Sequence, residues 1–256
     1  MPGLSPEIDL DAPEAPPGTL LLPGRKFPLD YAQAGVAIGA RVLRIAEVAN
    51  SGAGTANNIW DGAYVLAKLL ELCAAEGDAA VVAVRGARVL ELGSGTGLVG
   101  LAAAAAGAAA VVLTDLPYAL PLLTANVQHN VEATAGAQVH VAALDWTRPL
   151  PPLPAAVSPP TLIVAADVVW VPELIQPLVR TLAALCAAGA PPPPVLLSHQ
   201  TRARASDALL FAALRAQGFA AREVPRERHH PEARDDDIQV WLITREEAKM
   251  KEGGEL

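Results

Sequence analysis

The sequence predicts an α/β protein with a Rossmann-like sheet of seven mostly parallel strands, helices on both faces, an antiparallel last strand and a small N-terminal β extension. From residue 88 onward, short apolar runs of strand length alternate with stretches of helical periodicity. Such alternation requires crossover connections, which give a parallel sheet that is covered on both faces. The last two apolar runs are separated only by a polar loop, which leaves no room for a crossover helix and makes the end of the sheet antiparallel.

The chain of 256 residues is predicted to form a single domain over residues 31–256. Residues 1–30 contain many of the prolines and several acids, which indicates a flexible arm. Residues 36–60 form the β extension, because VAIGARVLRIAEV alternates apolar and polar side chains as a strand or hairpin does. Residues 61–245 form the Rossmann-like core, which opens on a helix with Asp61 as its N-cap.

The core elements follow one another in a regular order. The predicted strands are RVLEL, AAVVLT, VHVAA, TLIVAA, VLLSH, AAREV and QVWLIT. One helix follows the glycine turn as LVGLAAAAAG, and the last, SDALLFAALRAQG, ends at Gly218. Between them we predict a helix with Leu120, Leu123, Val127 and Val131 on one face, and a helix around Leu178–Ala187 with Pro177 in its first turn.

Composition and charge exclude several classes of function. The hydrophobic fraction of 52% is ample for a large core, and the net charge of −8 argues against a nucleic-acid partner held by its phosphates. No apolar run reaches membrane-spanning length without interruption, and the first residues do not have the pattern of a secretory signal. Cys73 and Cys186 lie in apolar helical patterns, which predicts buried thiols in a reducing compartment. We therefore expect a cytoplasmic or nuclear enzyme, and we also expect it to be a monomer.

A metal centre is not expected. His229 and His230 are adjacent, so their side chains diverge, and nothing near them supplies a third ligand at zinc spacing. A hydrolase is not expected either, because no nucleophile-elbow sequence is present.

The stretch RVLELGSGTGLVG at residues 88–100 fits two cofactor patterns. Gly95-Thr96-Gly97-Leu98-Val99-Gly100 is a G-x-G-x-x-G string, as in dinucleotide-binding proteins. An acidic residue followed by G-x-G-x-G, beginning at Glu91, is instead the pattern of S-adenosylmethionine enzymes. The first glycine of a dinucleotide fingerprint should follow the strand directly. Read from Gly93, the third fingerprint position is Leu98, so the dinucleotide pattern fails.

Two carboxylates extend the cofactor prediction. Glu91, two residues before the glycine turn, would repel a pyrophosphate but could hold the cationic methionine end of S-adenosylmethionine through its amine or through backbone amides. Asp115 ends the second core strand, where an acid accepts hydrogen bonds from ribose hydroxyls. Asp115 does not discriminate between cofactors, and it also suits a helix N-cap before Leu116.

Three tryptophans and one more acid lie where the site is expected. Trp60 precedes a helix and Trp146 follows the third core strand, where an adenine could stack, although a single tryptophan is more often a core residue. Asp167 closes the fourth core strand at the same sheet edge as Gly93, three residues before Trp170. A carboxylate at this point could face the methyl donor.

These segments together resemble a known family. IWDGAYVLAKLLE, VLELGSGTGLVGL, VLTDLPYALPLLTANVQHN, LDW and ADVVWVPELIQPLVRTL, in that order, are similar to the seven-strand lysine methyltransferases of the methyltransferase-like 21 type. The tail VPRERHHPEARDDDIQVWLI most resembles the type that methylates the AAA ATPase valosin-containing protein. The resemblance implies S-adenosylmethionine as cofactor and, as partner, a non-histone protein of the chaperone or AAA ATPase kind that carries the target lysine.

The resemblance also implies roles for individual residues. Asp167 and Trp170 correspond to the D-x-x-Y/F element that shapes the lysine channel, with tryptophan here in place of tyrosine or phenylalanine. The residues that would contact S-adenosylmethionine are Trp60, Gly93, Ser94, Gly95, Asp115, Trp146 and Ala166, in addition to Glu91.

The chemistry expected at such a site is an in-line displacement by a neutral amine. A free lysine, with a pKa of about 10.4, costs about 4–5 kcal/mol to deprotonate at neutral pH. Our hypothesis is that Asp167 orients the amine and accepts its proton through water, while Trp170 holds the charged forms by cation–π contact. Two alternatives remain open: a small-molecule N-methyltransferase on the same fold, and a non-catalytic adaptor that binds S-adenosylmethionine.

Overall fold

The computed structural model describes residues 26–27, 29–48, 54–77 and 80–245. The predicted flexible arm over residues 1–30 therefore lies mostly outside the described residues. The helices and strands are, in chain order, β1 (Val36–Ile38), β2 (Arg41–Leu43), α1 (Asp61–Glu76), β3 (Arg88–Leu92), α2 (Leu98–Ala105), β4 (Ala110–Asp115), α3 (Leu120–His129), β5 (Gln138–Ala143), β6 (Leu162–Ala166), α4 (Pro172–Ala187), β7 (Val195–Gln200), α5 (Arg204–Ala216), β8 (Phe219–Glu223) and β9 (Ile238–Arg245).

The main sheet contains the seven strands that the sequence predicts. Their spatial order is β5-β4-β3-β6-β7-β9-β8. Strands β5, β4, β3, β6 and β7 pair in parallel, and β9 pairs antiparallel with β7 on one side and β8 on the other. The chain moves outward from β3 in one direction through β4 to β5, and in the other through β6 to β7. The boundary between β3 and β6 is therefore a topological switch point, where ligands bind at the carboxyl ends of strands.

Helices cover both faces of this sheet, as predicted. One apolar core lies between the sheet and α1, α2 and α3, and a second lies between the sheet and α4 and α5. All eight residues of α2 are buried, which accounts for its run of alanines: a helix surrounded by protein needs small apolar side chains all round. Cys73 and Cys186 are free and buried, which confirms the prediction of buried thiols.

The N-terminal β extension is a two-stranded antiparallel hairpin, β1 and β2, that is separate from the main sheet. Its chain is held to α3 by two inward-facing asparagines. Asn126 accepts a hydrogen bond from the Ala46 N–H (2.9 Å) and donates to the Ala46 carbonyl (3.0 Å), and Asn130 pairs in the same way with the backbone of Arg44. Asn126 also donates to the carbonyl of Thr96 (2.9 Å), which ties the extension to the glycine loop.

Three local predictions are wrong. Asp61 is the first residue of α1 and not its cap, and its carboxylate accepts instead from the backbone N–H groups of Lys26 and Phe27 at 3.1 to 3.3 Å. The fourth helix begins at Pro172, so Pro177 lies inside it and removes one helical hydrogen bond. Burial of the apolar face of α4 offsets that loss. Val131 is 61% exposed, because α3 ends at His129.

Candidate active site

The glycine loop follows β3 directly and requires glycine at alternate positions. Gly93, Gly95 and Gly97 have positive φ values of 66°, 53° and 90°, a conformation that side chains with a Cβ rarely adopt. A Cβ on Gly93 would lie 2.8 Å from the Val168 side chain, and one on Gly95 would lie 3.1 Å from the Ala56 carbonyl oxygen. The loop can therefore approach a ligand closely with its backbone.

Glu91 supports this loop from beneath. Gly97, as N-cap of α2, has no side chain with which to cap the helix. The Oε2 atom of Glu91, on β3, instead accepts a hydrogen bond from the Gly100 N–H in the first turn (3.0 Å). A Cβ on Gly100 would lie 2.6 Å from that oxygen, which explains the last glycine of the G-x-G-x-x-G string. Burial raises the pKa of Glu91 to about 8, opposed by hydrogen bonds from Ser94 and Gly100.

Ser94 fixes the loop to the neighbouring strand. Its hydroxyl oxygen accepts a hydrogen bond from the Thr114 N–H (2.9 Å), and its own N–H donates to the Thr114 carbonyl (2.9 Å). The Thr114 hydroxyl in turn donates to the Glu91 carbonyl (2.6 Å). These bonds join the ends of β3 and β4, so that the loop and Asp115 keep a fixed relation.

Asp115 faces the glycine loop from the end of β4. Its Oδ2 atom accepts from the Gly95 N–H (2.7 Å), and its Oδ1 atom accepts from the Leu116 N–H (2.7 Å). Burial raises the pKa of Asp115, and these two N–H groups oppose that shift. Each carboxylate oxygen can accept a further hydrogen bond, because an ionised carboxylate offers about four acceptor positions.

A single cleft of about 730 Å³, counting the space at its open mouth, lies over these loops at the carboxyl ends of β3, β4 and β6. Of the predicted site residues, the structure brings eight into its lining: Trp60, Gly93, Gly95, Asp115, Trp146, Ala166, Asp167 and Trp170. Glu91 and Ser94 lie beneath the loop and do not line the cleft.

The remaining lining residues were not predicted as site residues, and all of them except Leu174, in the first turn of α4, lie in loops: Thr55, Ala56, Leu116, Tyr118, Leu144, Asp145, Val168 and Leu174. Most of them directly follow a predicted strand, so the rule that ligands bind at the carboxyl ends of parallel strands could have found them. Thr55 and Ala56 belong to the loop before α1, and no sequence signal marks that loop as part of the site.

Asp167 joins three elements at the floor of the cleft. Its Oδ2 atom accepts from the Gly62 N–H in the first turn of α1 (2.9 Å), and its Oδ1 atom accepts from the Gln200 N–H at the end of β7 (3.2 Å). A Cβ on Gly62 would lie 2.5 Å from that Oδ2 atom, so the helix can approach only with glycine there. Burial raises the pKa of Asp167, and the positive charge of Arg202 is the largest opposing influence.

Aromatic side chains form the walls and mouth of the cleft. The Trp60 ring donates through Nε1 to the Thr55 carbonyl (3.2 Å) and carries the Arg202 guanidinium on its face. Trp146 lies over Gly93, whereas Trp170 and Tyr118 are 45% and 41% exposed at the mouth. Such a site offers stacking surfaces for a flat ring, a carboxylate for hydroxyl groups and a glycine cradle for a polar chain. Within the described ranges, no group of histidine, cysteine and acidic side chains could hold a metal ion.

Three features define a cofactor-binding enzyme of the Rossmann-like methyltransferase class. They are the antiparallel strand β9 beside β7, the glycine loop at the switch point and Asp115 at the end of β4. Residues 39–216 match the sequence profile of a family described as lysine methyltransferase. The chain belongs to this family.

Individual relatives agree with this assignment. Protein N-lysine methyltransferase METTL21A of Danio rerio is 37% identical over 182 residues, which are 71% of this chain and 75% of that protein. EEF1A lysine methyltransferase 3 is 30% identical over 203 residues in Xenopus tropicalis (79% and 81% of the two chains) and 31% identical over 214 residues in Mus musculus (83% and 82%).

A solved structure shows the fold. The magnesium protoporphyrin IX methyltransferase (ChlM) of Synechocystis PCC 6803 with bound SAM covers 73% of this chain and 80% of its own, at 15% identity and a TM-score of 0.50. Together with the family, it confirms the predicted Rossmann-like fold. The prediction of an S-adenosylmethionine-dependent protein-lysine methyltransferase is likewise confirmed. No helix within the described residues is both long and apolar enough to span a membrane.

Proposed function

We propose that the cleft binds S-adenosylmethionine over β3 and β4 and that the methyl group passes to a lysine of a non-histone protein that enters over β6 and β7. The observation that carries this proposal is the placement of Gly93, Asp115 and Asp167 at the ends of three adjacent parallel strands in one cleft. A hydroxyl acceptor (Asp115), a glycine cradle (Gly93) and a buried acid (Asp167) therefore follow one another along a single sheet edge.

The residues present fit such a cofactor. The loop at Gly93 and Gly95 is a cradle that a Cβ would fill, and its backbone is the surface for the methionine part. Asp115 has acceptor positions left for two ribose hydroxyls after bonding Gly95 and Leu116. Trp60 and Trp146 offer ring faces, while Glu91 and Ser94 keep the loop in shape from below. Bound there, the cofactor supplies an electrophilic methyl group on a positively charged sulfur.

The chain's own groups then position the acceptor. Asp167 lies at the end of β6 between the cradle and the loop after β7, and its carboxylate is fixed by two N–H groups. The negative charge of Asp167 orients a lysine amine, and its carboxylate receives the amine's proton through water. Trp170, half exposed at the mouth, lies along the path of the incoming side chain and holds it by cation–π contact. Holding amine and methyl group in line supplies most of the acceleration.

The substrate class is the finer part of the proposal. The tail of the chain resembles the enzyme type that acts on an AAA ATPase, so we propose a chaperone or AAA ATPase as the substrate. A relative at 30–31% identity is named for EEF1A, which makes EEF1A the second protein to test. The exposed side chains of Trp170 and Tyr118 at the mouth of the cleft offer a surface to a protein acceptor.

The test is methyl transfer from tritiated S-adenosylmethionine into a cell lysate, resolved on a gel. The matched control is Gly95→Arg, because Gly95 has a positive φ and a side chain there would press on the Ala56 carbonyl. We expect one discrete labelled protein with the wild-type chain and none with the variant. Label confined to the small-molecule fraction would overturn the protein-acceptor proposal. An absence of label, with cofactor binding intact by calorimetry, would contradict catalysis and leave an adaptor.

A further inference from the structure

An exposed arginine stands at the mouth of the cleft. Arg202 lies in the short connection between the end of β7 at Gln200 and the start of α5 at Arg204. Its guanidinium carbon is 5.2 Å from the centroid of the Trp60 ring, which is a cation–π distance. Because Trp60 lines the cleft, the stacking holds a positive charge directly at the rim.

The hydrogen-bonding capacity of this arginine is unused within the described part of the chain. No Asp or Glu among the residues of known placement forms an ion pair with the Arg202 guanidinium, and none accepts a hydrogen bond from it. Asp167 feels its charge, but no hydrogen bond or ion pair joins the two side chains. Five N–H donors in a planar fork are thus available, an arrangement that matches a carboxylate.

The strand order decides which ligand this fork faces. Along the sheet edge, the strand ends follow in the spatial order β4, β3, β6 and β7. Asp115 follows from β4, Gly93 from β3, Asp167 from β6 and Arg202 from β7. Arg202 is therefore on the opposite side of Asp167 from the glycine loop and the ribose acid. Since the proposed cofactor lies over β3 and β4, Arg202 belongs to the side where the substrate enters.

We propose that Arg202 is a specificity-determining residue that binds the carboxylate of an aspartate or glutamate beside the target lysine of the substrate protein. This inference rests on the proposed function. The guanidinium, held flat by Trp60, forms a bidentate pair with an acid at the rim, while the lysine continues toward Asp167. A lysine or arginine in the same place is repelled, so the residue selects by both attraction and repulsion. The carboxylate of the cofactor's methionine part has the same chemistry, and the experiment separates the two sources.

In the experiment, the full chain is incubated with a lysate of cells whose proteins are depleted of methylation and with S-adenosylmethionine that carries a deuterated methyl group. Mass spectrometry identifies each labelled lysine and measures its labelling rate for the wild type, Arg202→Glu, Arg202→Lys and the control Arg204→Glu. Arg204 is an exposed arginine two residues away that does not line the cleft, and a glutamate suits the first turn of α5. Calorimetric titration with S-adenosylhomocysteine reports cofactor binding and folding for every variant.

We expect labelled lysines with an acidic neighbour, and a labelling rate at them that falls at least about tenfold with Arg202→Glu. Arg202→Lys should fall in between, and Arg204→Glu should match the wild type. Replacing the acidic neighbour in the identified substrate by lysine should impair the wild type and restore labelling by Arg202→Glu.

Three results would overturn the proposal. Labelling of the same lysines by Arg202→Glu at the wild-type rate would remove Arg202 from substrate selection, as would failure of the charge-swapped substrate to recover. Weakened binding of S-adenosylhomocysteine to Arg202→Glu but not to Arg204→Glu would reassign the residue to the cofactor's carboxylate. If the wild type labels no lysine while it binds S-adenosylhomocysteine, the proposed function itself fails. If the wild type labels lysines and the Arg202 substitutions leave the labelling rate unchanged, only the role of Arg202 fails.

Discussion

Asp167 holds a backbone conformation that non-glycine residues seldom adopt, with a φ of 52°. It is the only such residue in the described part of the chain, and strained residues concentrate at active sites. The N–H groups of Gly62 and Gln200 hold its carboxylate, so the surrounding structure determines its position. This combination supports the proposed role of Asp167 at the substrate amine.

Asp167→Asn tests that need. Asparagine tolerates positive φ and keeps the shape of the side chain, but it removes the negative charge and one of the two acceptors. We expect kcat to fall at least about 100-fold with little change in affinity for S-adenosylhomocysteine. Steady-state kinetics and calorimetry measure the two quantities. Equal losses in both would show that Asp167 supports the cofactor or the fold and does not act on the amine.

Glu91 should make stability depend on pH. Its folded-state pKa is about 8, far above that of an exposed carboxyl, so the folded protein binds this proton more tightly than the unfolded chain does. The stability it contributes is complete below the unfolded pKa and is lost as pH rises through about 8. Glu91→Gln keeps an acceptor for Gly100 but cannot ionise.

From about pH 5 to about pH 8, we therefore expect the free energy of unfolding of the wild type to fall on the order of 1–3 kcal/mol more than that of Glu91→Gln. Denaturant unfolding at several pH values measures this difference. Glu132→Gln, a change at an exposed glutamate, is the control and should follow the wild-type curve. Parallel curves for wild type and Glu91→Gln would contradict a buried, neutral Glu91.

The position of Glu91 also marks a limit of prediction at the residue scale. In a parallel strand that is buried on both faces, alternation does not reveal which side chains face which helix layer. The sequence therefore places an acid near the glycine loop without showing whether it points into the cleft or under α2. Only the fold shows that its oxygen meets the Gly100 N–H. Asp115 and Asp167 end their strands, and for them the strand boundary alone predicted a position in the cleft.

At the scale of elements, the glycine loop and α2 form one unit. Gly97 has a φ of 90°, and a Cβ there would lie 2.6 Å from the Leu123 side chain of α3. The loop, β4 and two helices therefore meet closely at Gly97. Any side chain at Gly97 would strain the backbone and also press on the Leu123 side chain of α3.

Gly97→Ala should accordingly lower the free energy of unfolding by more than backbone strain alone would. The control is Gly86→Ala, where φ is 73° but the space around a Cβ is open. We expect Gly97→Ala to be about 1–3 kcal/mol less stable than Gly86→Ala and to bind S-adenosylhomocysteine more weakly. Thermal unfolding and calorimetry provide the comparison. Equal stability and unchanged affinity would mean that the loop is not the close-packed cradle described above.

The helices and strands could be predicted from the sequence where burial produces a simple pattern of apolar residues. Each central strand is a short uninterrupted apolar run, and its position follows from that run. Pro177 misled the prediction, because proline usually begins a helix, whereas here the buried face of α4 continues through it. Val131 misled it because helical spacing continues past the end of α3, while Asn126 and Asn130 turn inward to hold the extension. Contacts between distant segments decide such cases, and local periodicity does not contain them.

At the scale of the whole molecule, a net charge of −8 contrasts with the cation at the mouth of the cleft. Arg202, stacked on Trp60, places a positive charge at the rim and acts electrostatically on Asp167. In the proposed function, a substrate lysine passes Arg202 at the rim before it reaches Asp167. In this proposal, the cofactor lies over the ends of β3 and β4, and the substrate enters over the ends of β6 and β7 of the same sheet.

The central claim is that this cleft transfers a methyl group to the ε-amine of a protein lysine. The most direct test is the chemical identity of the product: a protein labelled with tritiated S-adenosylmethionine is hydrolysed, and its amino acids are separated. We predict that the label elutes as Nε-methylated lysine with the wild type and is nearly absent with Asp167→Asn. Label in methylated arginine or histidine, or in no amino acid, would contradict the account.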